Sequence, residues 1–449
     1  MKRIPTLVTL VLALAAGRAD TSIAQGGGQA ETGTPLTLTL PDAIARGLET
    51  SHRLGEIEAR RTGAEAAAAG REAADRPQVS AQAGYTRTNH VDEYAILAPG
   101  QSPRVIYPDV PDNFRTRLDL QWPIFTFGRT DAVERAARAE AKAVGLDLQA
   151  ARNDLKLEIT RAFWAVVTAN ESVRVVTASL ERMDSALNDM RNRLKVGLVP
   201  PNDVLSMEAQ RSRQEMFLIQ ARNARDVALA DLRRLTGLAP DAPVQVSAVF
   251  EPPAPARQDA ALLVTSARDL RPERQALSTR IEGAAERQAA AAASRRPVIA
   301  LGAGLDYARP NTRIFPRAPD WNESWDVSVN FSWTFWDSGR SAADIAEAAA
   351  AQLALRKRRD EFDSVLDLEV RQRRIDMDSA LASIPAATDA VRSATEARRV
   401  VAERYAAGVA TSTEVLDAQV ALLQAELDRT QATANARLAE ARLERALGR

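Results

Sequence analysis

Trp325-Asp326-Val327-Ser328-Val329-Asn330-Phe331-Ser332-Trp333-Thr334-Phe335 alternates apolar and polar residues without a break. Successive side chains of a strand point to opposite faces, so this segment carries one apolar and one polar face. Its 11 residues match a tilted transmembrane strand of about 9–11. Three other segments read the same way. Val79, Ala81, Ala83 and Tyr85 alternate with Ser80, Gln82 and Gly84. Ile299, Leu301, Ala303, Leu305 and Tyr307 alternate with small or polar partners. Leu118, Leu120, Trp122 and Ile124 face one way, Asp119 and Gln121 the other. Five tryptophans, 122, 321, 325, 333 and 336, lie in or beside these strands, where a membrane barrel places its aromatic girdles. Trp122, Trp325, Trp333 and Trp336 are the expected girdle residues. A soluble sheet with one buried face is the alternative, but four strands with no second sheet make a poor core.

The strands belong to a unit written twice. Trp122, Gly128 and Arg129 recur as Trp333, Gly339 and Arg340, a shift of 211 residues (339 − 128). The same shift carries Leu155-Lys156-Leu157-Glu158 onto Leu366-Asp367-Leu368-Glu369, and Arg193 and Gly197 onto Arg404 and Gly408. Register holds to Gly237 and Gly448. Each unit opens with a helix, predicted over 41–75 and 260–294, ended by Pro77 and Pro297. Two strands follow, joined by a Pro-rich loop near 98–113 and 308–322. After Gly-Arg the period changes. Leu180, Met183, Leu187, Met190 and Leu194 form a heptad seam. Helices to about Val196 and Ala407 would be rods of about 100 Å at 1.5 Å per residue. Return helices, predicted over 201–236 and 411–447, are half as long. Stacked end to end with the opening helices, they match the rods in length. The divisions are thus 1–24, 25–238 (first repeat), 239–259 (a Pro-rich linker in which Val244, Val246 and Ala248 predict a short strand) and 260–449 (second repeat).

Composition narrows the class. Lys+Arg and Asp+Glu both number 59, so no basic excess exists for nucleic acid. Only 5% of residues are aromatic while Ala abounds, which suits long paired helices better than a globular enzyme core. The chain holds no cysteine, so disulfide, thiolate and lipid-anchored cysteine are all excluded. Lys2-Arg3, the apolar run Ile4–Ala16 and Ser22-Ile23-Ala24 read as a secretory signal over 1–24. His52 and His90 are isolated, and Gly302-Ala303-Gly304 lacks the third glycine and following helix of a dinucleotide fingerprint. No catalytic residue, metal site or cofactor is expected. A periplasmic coiled-coil adaptor or structural protein would explain the signal and heptads, but not four amphipathic strands ending in tryptophan.

Four strands cannot close a barrel, and an open sheet would leave unpaired edges in lipid. Closure must come from further copies. Three copies would supply twelve strands, within the range of outer-membrane barrels.

In order and spacing the chain resembles the TolC-like outer-membrane efflux proteins over its mature length. The resemblance rests on Leu38-Thr39-Leu40-Pro41-Asp42-Ala43-Ile44 and on the strands of Trp122 and Trp333 that enter Gly-Arg. Arg193-Leu194-Lys195-Val196-Gly197-Leu198, Arg404-Tyr405-Ala406-Ala407-Gly408 and Val415-Leu416-Asp417-Ala418-Gln419 add to it. It implies a mainly α fold with a membrane β-barrel: a homotrimer whose twelve-stranded barrel continues into a twelve-helix periplasmic α-barrel. It implies a passive, porin-like exit duct in the outer membrane of a Gram-negative bacterium, serving tripartite efflux or type I secretion. An inner-membrane pump or ABC exporter would drive it through a periplasmic adaptor (membrane fusion protein). Val196-Gly197-Leu198 and Ala407-Gly408-Val409 would dock the adaptor. Asp203, Glu414 and Asp417 would constrict the entrance as an acidic ring, with Tyr405 as a linking tyrosine. Ala410 stands where the best-known member has an arginine, so one link is missing. Capping is the competing role, since Thr411-Ser412-Thr413-Glu414 fits a capping box and acids favour helix N-termini.

Overall fold

The computed structural model describes residues 36–97, 99–100, 102–254 and 259–449. The expected signal, 1–24, lies outside them. The first unit runs β1 (Leu36–Leu38), α1 (Leu40–Thr50), α2 (His52–Glu72), a single 3-10 turn (Ala73–Asp75), β2 (Gln78–Arg87), β3 (Tyr94–Ile96), β4 (Arg104–Tyr107), β5 (Asp112–Phe125), α3 (Arg129–Lys195) and α4 (Pro201–Leu235). After β6 (Val244–Val246) the second unit runs α5 (Ala260–Leu270), α6 (Pro272–Ala293), β7 (Val298–Arg309), β8 (Asn322–Ser332), α7 (Arg340–Ala406) and α8 (Ser412–Ala446). The tandem repeat therefore holds element by element, except for the 3-10 turn after α2 and the β3–β4 hairpin, which among the described residues only the first unit contains.

The opening helices are each broken once, which the sequence reading did not foresee. Ser51 and Arg271 are extended residues that end one helix and begin the next. Ser51 Oγ accepts from the Leu54 amide at 3.3 Å, and Pro272 takes a first-turn position that has no amide to satisfy. The breaks lie where the return helices end. Arg46 Nε donates to Thr236 O at 3.0 Å, and Arg271 Nη1 donates to Arg445 O and Ala446 O at 3.2 Å each. A small parallel pair, β1 with β6, sits at the same level and confirms the short linker strand over Val244–Val246.

The rods α3 and α7 each have 67 residues. Two shorter helices cover α3 end to end. Arg53 of α2 reaches Glu158 at 3.1 Å and Arg234 of α4 reaches it at 3.6 Å, so the two meet over one α3 residue. The repeat partner Glu369 is held by Arg271 at 3.3 Å. The cores are thin and local. One surrounds Ile159, Phe163 and Leu232, each worth about 1.5–3 kcal/mol for full burial. Another follows the heptad seam through Met183, Leu187 and Met190, packed on Val204 and Met207 of α4.

The four long strands form one antiparallel sheet in the order β2-β5-β7-β8. The register aligns Ala81, Leu118, Leu305 and Trp325 across it, and Val79, Leu120, Ala303 and Val327 one step on. One expectation needs correction. A bulge between Pro123 and Phe125 places Phe125, not Ile124, opposite Ile299 on the apolar face. Proline has no amide to give the ladder, so the strand takes an extra residue there. Strand β8 also begins and ends earlier than expected, leaving Trp333 to Phe335 beyond it.

Candidate functional site: the apolar sheet face and the helical tips

Among the described residues nothing covers the apolar face of the sheet. Trp325, Val327, Val329 and Phe331 are 63–72% exposed, alongside exposed Val79, Leu118 and Leu305. A surface of this kind on four adjacent strands needs an apolar surrounding. Aromatics mark both its margins. On the side of the 88–111 and 310–321 loops, Tyr85 packs on Phe114 at 4.9 Å and Tyr307 stacks on Trp321 at 4.9 Å. On the helix side stand Trp122, Trp333, Phe335 and Trp336. Trp325 thus belongs nearer the loop margin, and the other three expected girdle residues lie at the opposite one. From Phe114 to Trp122 is eight residues along β5, about 27 Å at 3.4 Å per residue, near the height of an apolar barrel band of about 25 Å. Among the described residues no helix is long and apolar enough to cross a membrane.

The opposite face is polar. Arg115 bonds Asp306 through Nε at 2.5 Å and Nη2 at 2.8 Å. Arg117 bonds Asp119 at 2.6 Å, bonds Asp306, and lies 3.2 Å from Asp326. Gly304 makes room for this, since a Cβ there would stand 2.6 Å from Arg117 Cζ. The sequence marked these positions as a polar face, but only the register between strands far apart in the chain brings them together.

The strand-to-helix elbow is built alike in both units. Phe127 and Gly128 have φ of 50° and 85°; Ser338 and Gly339 have 54° and 90°. Two consecutive left-handed residues redirect the chain from the sheet into the rod. Asp337 caps the second rod through the Gly339 amide at 3.0 Å and the Ser341 amide at 2.8 Å.

At the far end, each rod closes with a glycine in the left-handed region, as expected. Gly197 has φ 73° and Gly408 φ 74°. Leu198 N donates to Arg193 O at 2.9 Å and Val409 N to Arg404 O at 2.9 Å, the paired bonds that finish a helix with a reversed residue. The turn leaves Val196, Leu198 and Val409 about two-thirds exposed. Gly197, Ala407 and Gly408 shape the same two tips.

The four entrance residues divide. Tyr405 packs against the core of Met183 to Met207, under the guanidinium of Arg193 at 5.3 Å from its ring centroid. Burial raises its hydroxyl above the usual tyrosine value; Asp203 adds to this and Arg193 opposes it. Its hydroxyl is buried without a hydrogen-bond partner among the described residues. Glu414 forms the expected capping box with Thr411 and lies 3.7 Å from Arg404. Bonds from the Thr411 backbone and then its side chain hold the Glu414 carboxyl below its ordinary value, against some desolvation and with help from Arg404. Asp203 accepts from Asn202 at 3.1 Å, and Asp417 is exposed and unpaired within the chain, among the described residues. Sequence reasoning missed Arg193 and Arg404 as partners, although the repeat had already equated them. One now clasps the other unit's tyrosine and the other its own unit's glutamate.

A lipid-compatible sheet drawn out into paired rods defines a membrane conduit of the outer-membrane type. The sequence matches the outer membrane efflux protein family over residues 43–238 and 263–449, and the chain belongs to that family. It is an outer-membrane channel protein rather than an enzyme. No curated protein matches the sequence. Solved structures share its fold. The outer-membrane channel OprN is 20% identical, with 91% of this chain and 89% of that one covered and a TM-score of 0.75. The outer membrane protein VceC of Vibrio cholerae is 22% identical, with 91% and 96% covered and a TM-score of 0.74. The CmeC outer membrane channel of Campylobacter jejuni is 16% identical, with 91% and 85% covered and a TM-score of 0.75.

Proposed function

We propose that three copies of the chain form a passive exit duct through the outer membrane, fed from the periplasm by an inner-membrane pump or ABC exporter through a periplasmic adaptor. One observation carries the reading: sheet and rods are open-edged in the same order. The sheet ends in unpaired β2 and β8. In the rods, α2 and α4 lie on the outer side of α3, while α7 lies beyond α6 and α8. Both outer sides carry exposed apolar residues, Met216, Phe217 and Ile219 on α4 and Val365, Leu368 and Ile375 on α7. Joining one copy's β8 and α7 to the next copy's β2, α2 and α4 would close both layers at once. Three copies give about twelve strands, a size known for membrane barrels, and twelve rods at each level. The exposed Val196, Leu198 and Val409 would then ring the tunnel end as the adaptor's docking surface. Asp203, Glu414 and Asp417 would ring its axis, and Trp122, Trp325, Trp333 and Trp336 would meet the lipid interfaces.

Cell fractionation with the oligomer mass in detergent tests this. A trimer from the outer membrane that gives conductance steps in planar bilayers is expected. Recovery as a soluble periplasmic monomer would overturn the reading in favour of an adaptor-like protein.

A further inference from the structure

The polar face of the sheet holds more than water-compatible residues. Its loop-side half gathers Arg115, Arg117 and Arg313 with Asp306 and Asp326 around a cavity of about 520 Å³, and Asp119 pairs with Arg117 just outside it. Formal charge balances, but exposure does not. The side chains of Asp306, Asp119 and Asp326 are 13%, 23% and 30% exposed, while Arg115 and Arg313 are 61% and 55%. The carboxylates lie against the sheet and two guanidiniums stand above them. Arg313 comes from a loop folded back over the sheet, and Asn311 fixes that loop. Asn311, 3% exposed, donates to Asn322 O and Ser324 Oγ at 3.0 Å each and accepts from the Arg313 amide at 2.9 Å. Arg115 spends Nε and Nη2 on Asp306, which leaves Nη1 open. Arg313 bonds Trp325 O through Nη1, which also lies 4.0 Å from Asp326 Oδ1, so Nε and Nη2 stay open.

We propose that Arg115 and Arg313 form an anion-binding belt in the outer half of the barrel lumen, one pair per chain, that takes carboxylate or phosphate groups of passing solutes. The inference rests on the duct reading, because only a closed barrel makes this face a lumen. Guanidinium forks match the planar and tetrahedral oxyanions of such groups, and low-dielectric walls focus the field between three facing pairs. The aspartates beneath keep the arginines extended and limit affinity, so that a bound group can leave. The belt is opposite in sign to the acidic entrance at the tips.

Calorimetric titration of pyrophosphate into the detergent-solubilised full-length protein at low salt tests the belt. Wild type should bind, and Arg115→Gln with Arg313→Gln should weaken binding at least tenfold. Arg313→Gln alone, outside the strands, should weaken it severalfold without touching the Arg117 pairs. Glu414→Ala should leave it unchanged. Wild type that does not bind, or a double variant that binds equally, overturns the belt. Conductance steps from the same preparations report on the duct itself, so loss of binding with steps intact condemns the belt alone.

Discussion

The indole N–H of Trp122 donates to the carbonyl oxygen of Asp75 at 3.0 Å. Asp75 ends the turn that follows α2, so the bond staples the sheet's lower margin to the first rod layer. Trp333 repeats it on Arg295 O, also at 3.0 Å, just past α6. Each ring keeps its apolar body outward and spends its polar tip on a helix end, which suits tryptophan to a membrane interface.

Replacing Trp333 by Phe keeps the apolar body and deletes the bond. The expected loss is about 1 kcal/mol, the usual net value of one hydrogen bond. Trp122→Phe should cost about the same. Denaturant titration of the detergent-solubilised protein reads the difference. Variants that unfold together with wild type would show that the tryptophans serve the interface only.

The elbows make a second case. A Cβ on Gly128 or Gly339 would meet nothing within 4 Å, yet both glycines have φ near 90°. Gly128→Ala and Gly339→Ala should therefore each cost about 1–2 kcal/mol from backbone conformation alone. Gly55, inside α2 and equally uncrowded, should behave oppositely. Gly55→Ala should stabilise by about 0.5–1 kcal/mol. Equal effects at all three sites would mean that packing, not φ, decides.

The repeat explains what the sequence could show. Landmarks such as Trp122/Trp333 and Gly197/Gly408 constrain each other at one shift, and period-two or heptad patterns are local, so strands, rods and tip turns could all be read. The break at Arg271 had an unused signal, since Pro272 falls inside the predicted helix 260–294, where proline ends or kinks a helix. The break at Ser51 could not be read, because Ser51 is one polar residue among many. Nor could the Arg117 cluster, which depends on register between β5, β7 and β8 across some 200 positions. At the entrance, the capping box was local and therefore visible. The clasp of Arg193 on Tyr405 joins two units and was not.

Arg271 is the most consequential of these unseen residues. Its side chain is 7% exposed, with Glu273 at 3.2 Å and Glu369 at 3.3 Å, and it holds the last carbonyls of α8. Burial alone would raise the Glu273 carboxyl, but Arg445, its own backbone amide and Arg271 together hold it below its usual value. Arg271→Met should cost about 3–5 kcal/mol, because it leaves Glu369 and the last carbonyls of α8 without their buried cation, although Glu273 keeps Arg445. Arg46→Met, at the part-buried counterpart bond to Thr236 O, should cost about 1.5–3 kcal/mol. Since Glu273 is depressed, its contribution is present above its ordinary value of 4.5 and fades as pH falls through the lower folded value. Melting curves at pH 7 and pH 4 should show wild type losing stability on acidification, and Arg271→Met losing it at a higher pH. An Arg271→Met protein as stable as wild type at both pH values would show that the residue does not support the junction of α5, α6 and α8.

The entrance offers the sharpest test of role, because capping and gating predict different pH behaviour. Thr411 donates to Glu414 from its amide at 3.1 Å and its hydroxyl at 3.2 Å, and these bonds hold the carboxyl below its ordinary 4.5. A depressed acid keeps its charge as pH falls past the ordinary value and loses it only on crossing the lower folded one. If three copies of Glu414 ring the axis, reversal potentials in planar bilayers should show that their share of the cation preference survives at pH 5 and is lost only below 4.5. Thr411→Val removes the hydroxyl bond and should move the loss upward, toward the ordinary value. Glu414→Ala with Asp417→Ala should weaken the preference and the block by multivalent cations, with Asp203 still in place and the trimer intact. At the tips, Gly197→Trp should stop export while trimers persist, since a bulky ring would cover the exposed Val196 and Leu198 surface. If selectivity and block are unchanged in the double variant, Glu414 and Asp417 cap α8 and do nothing at the axis.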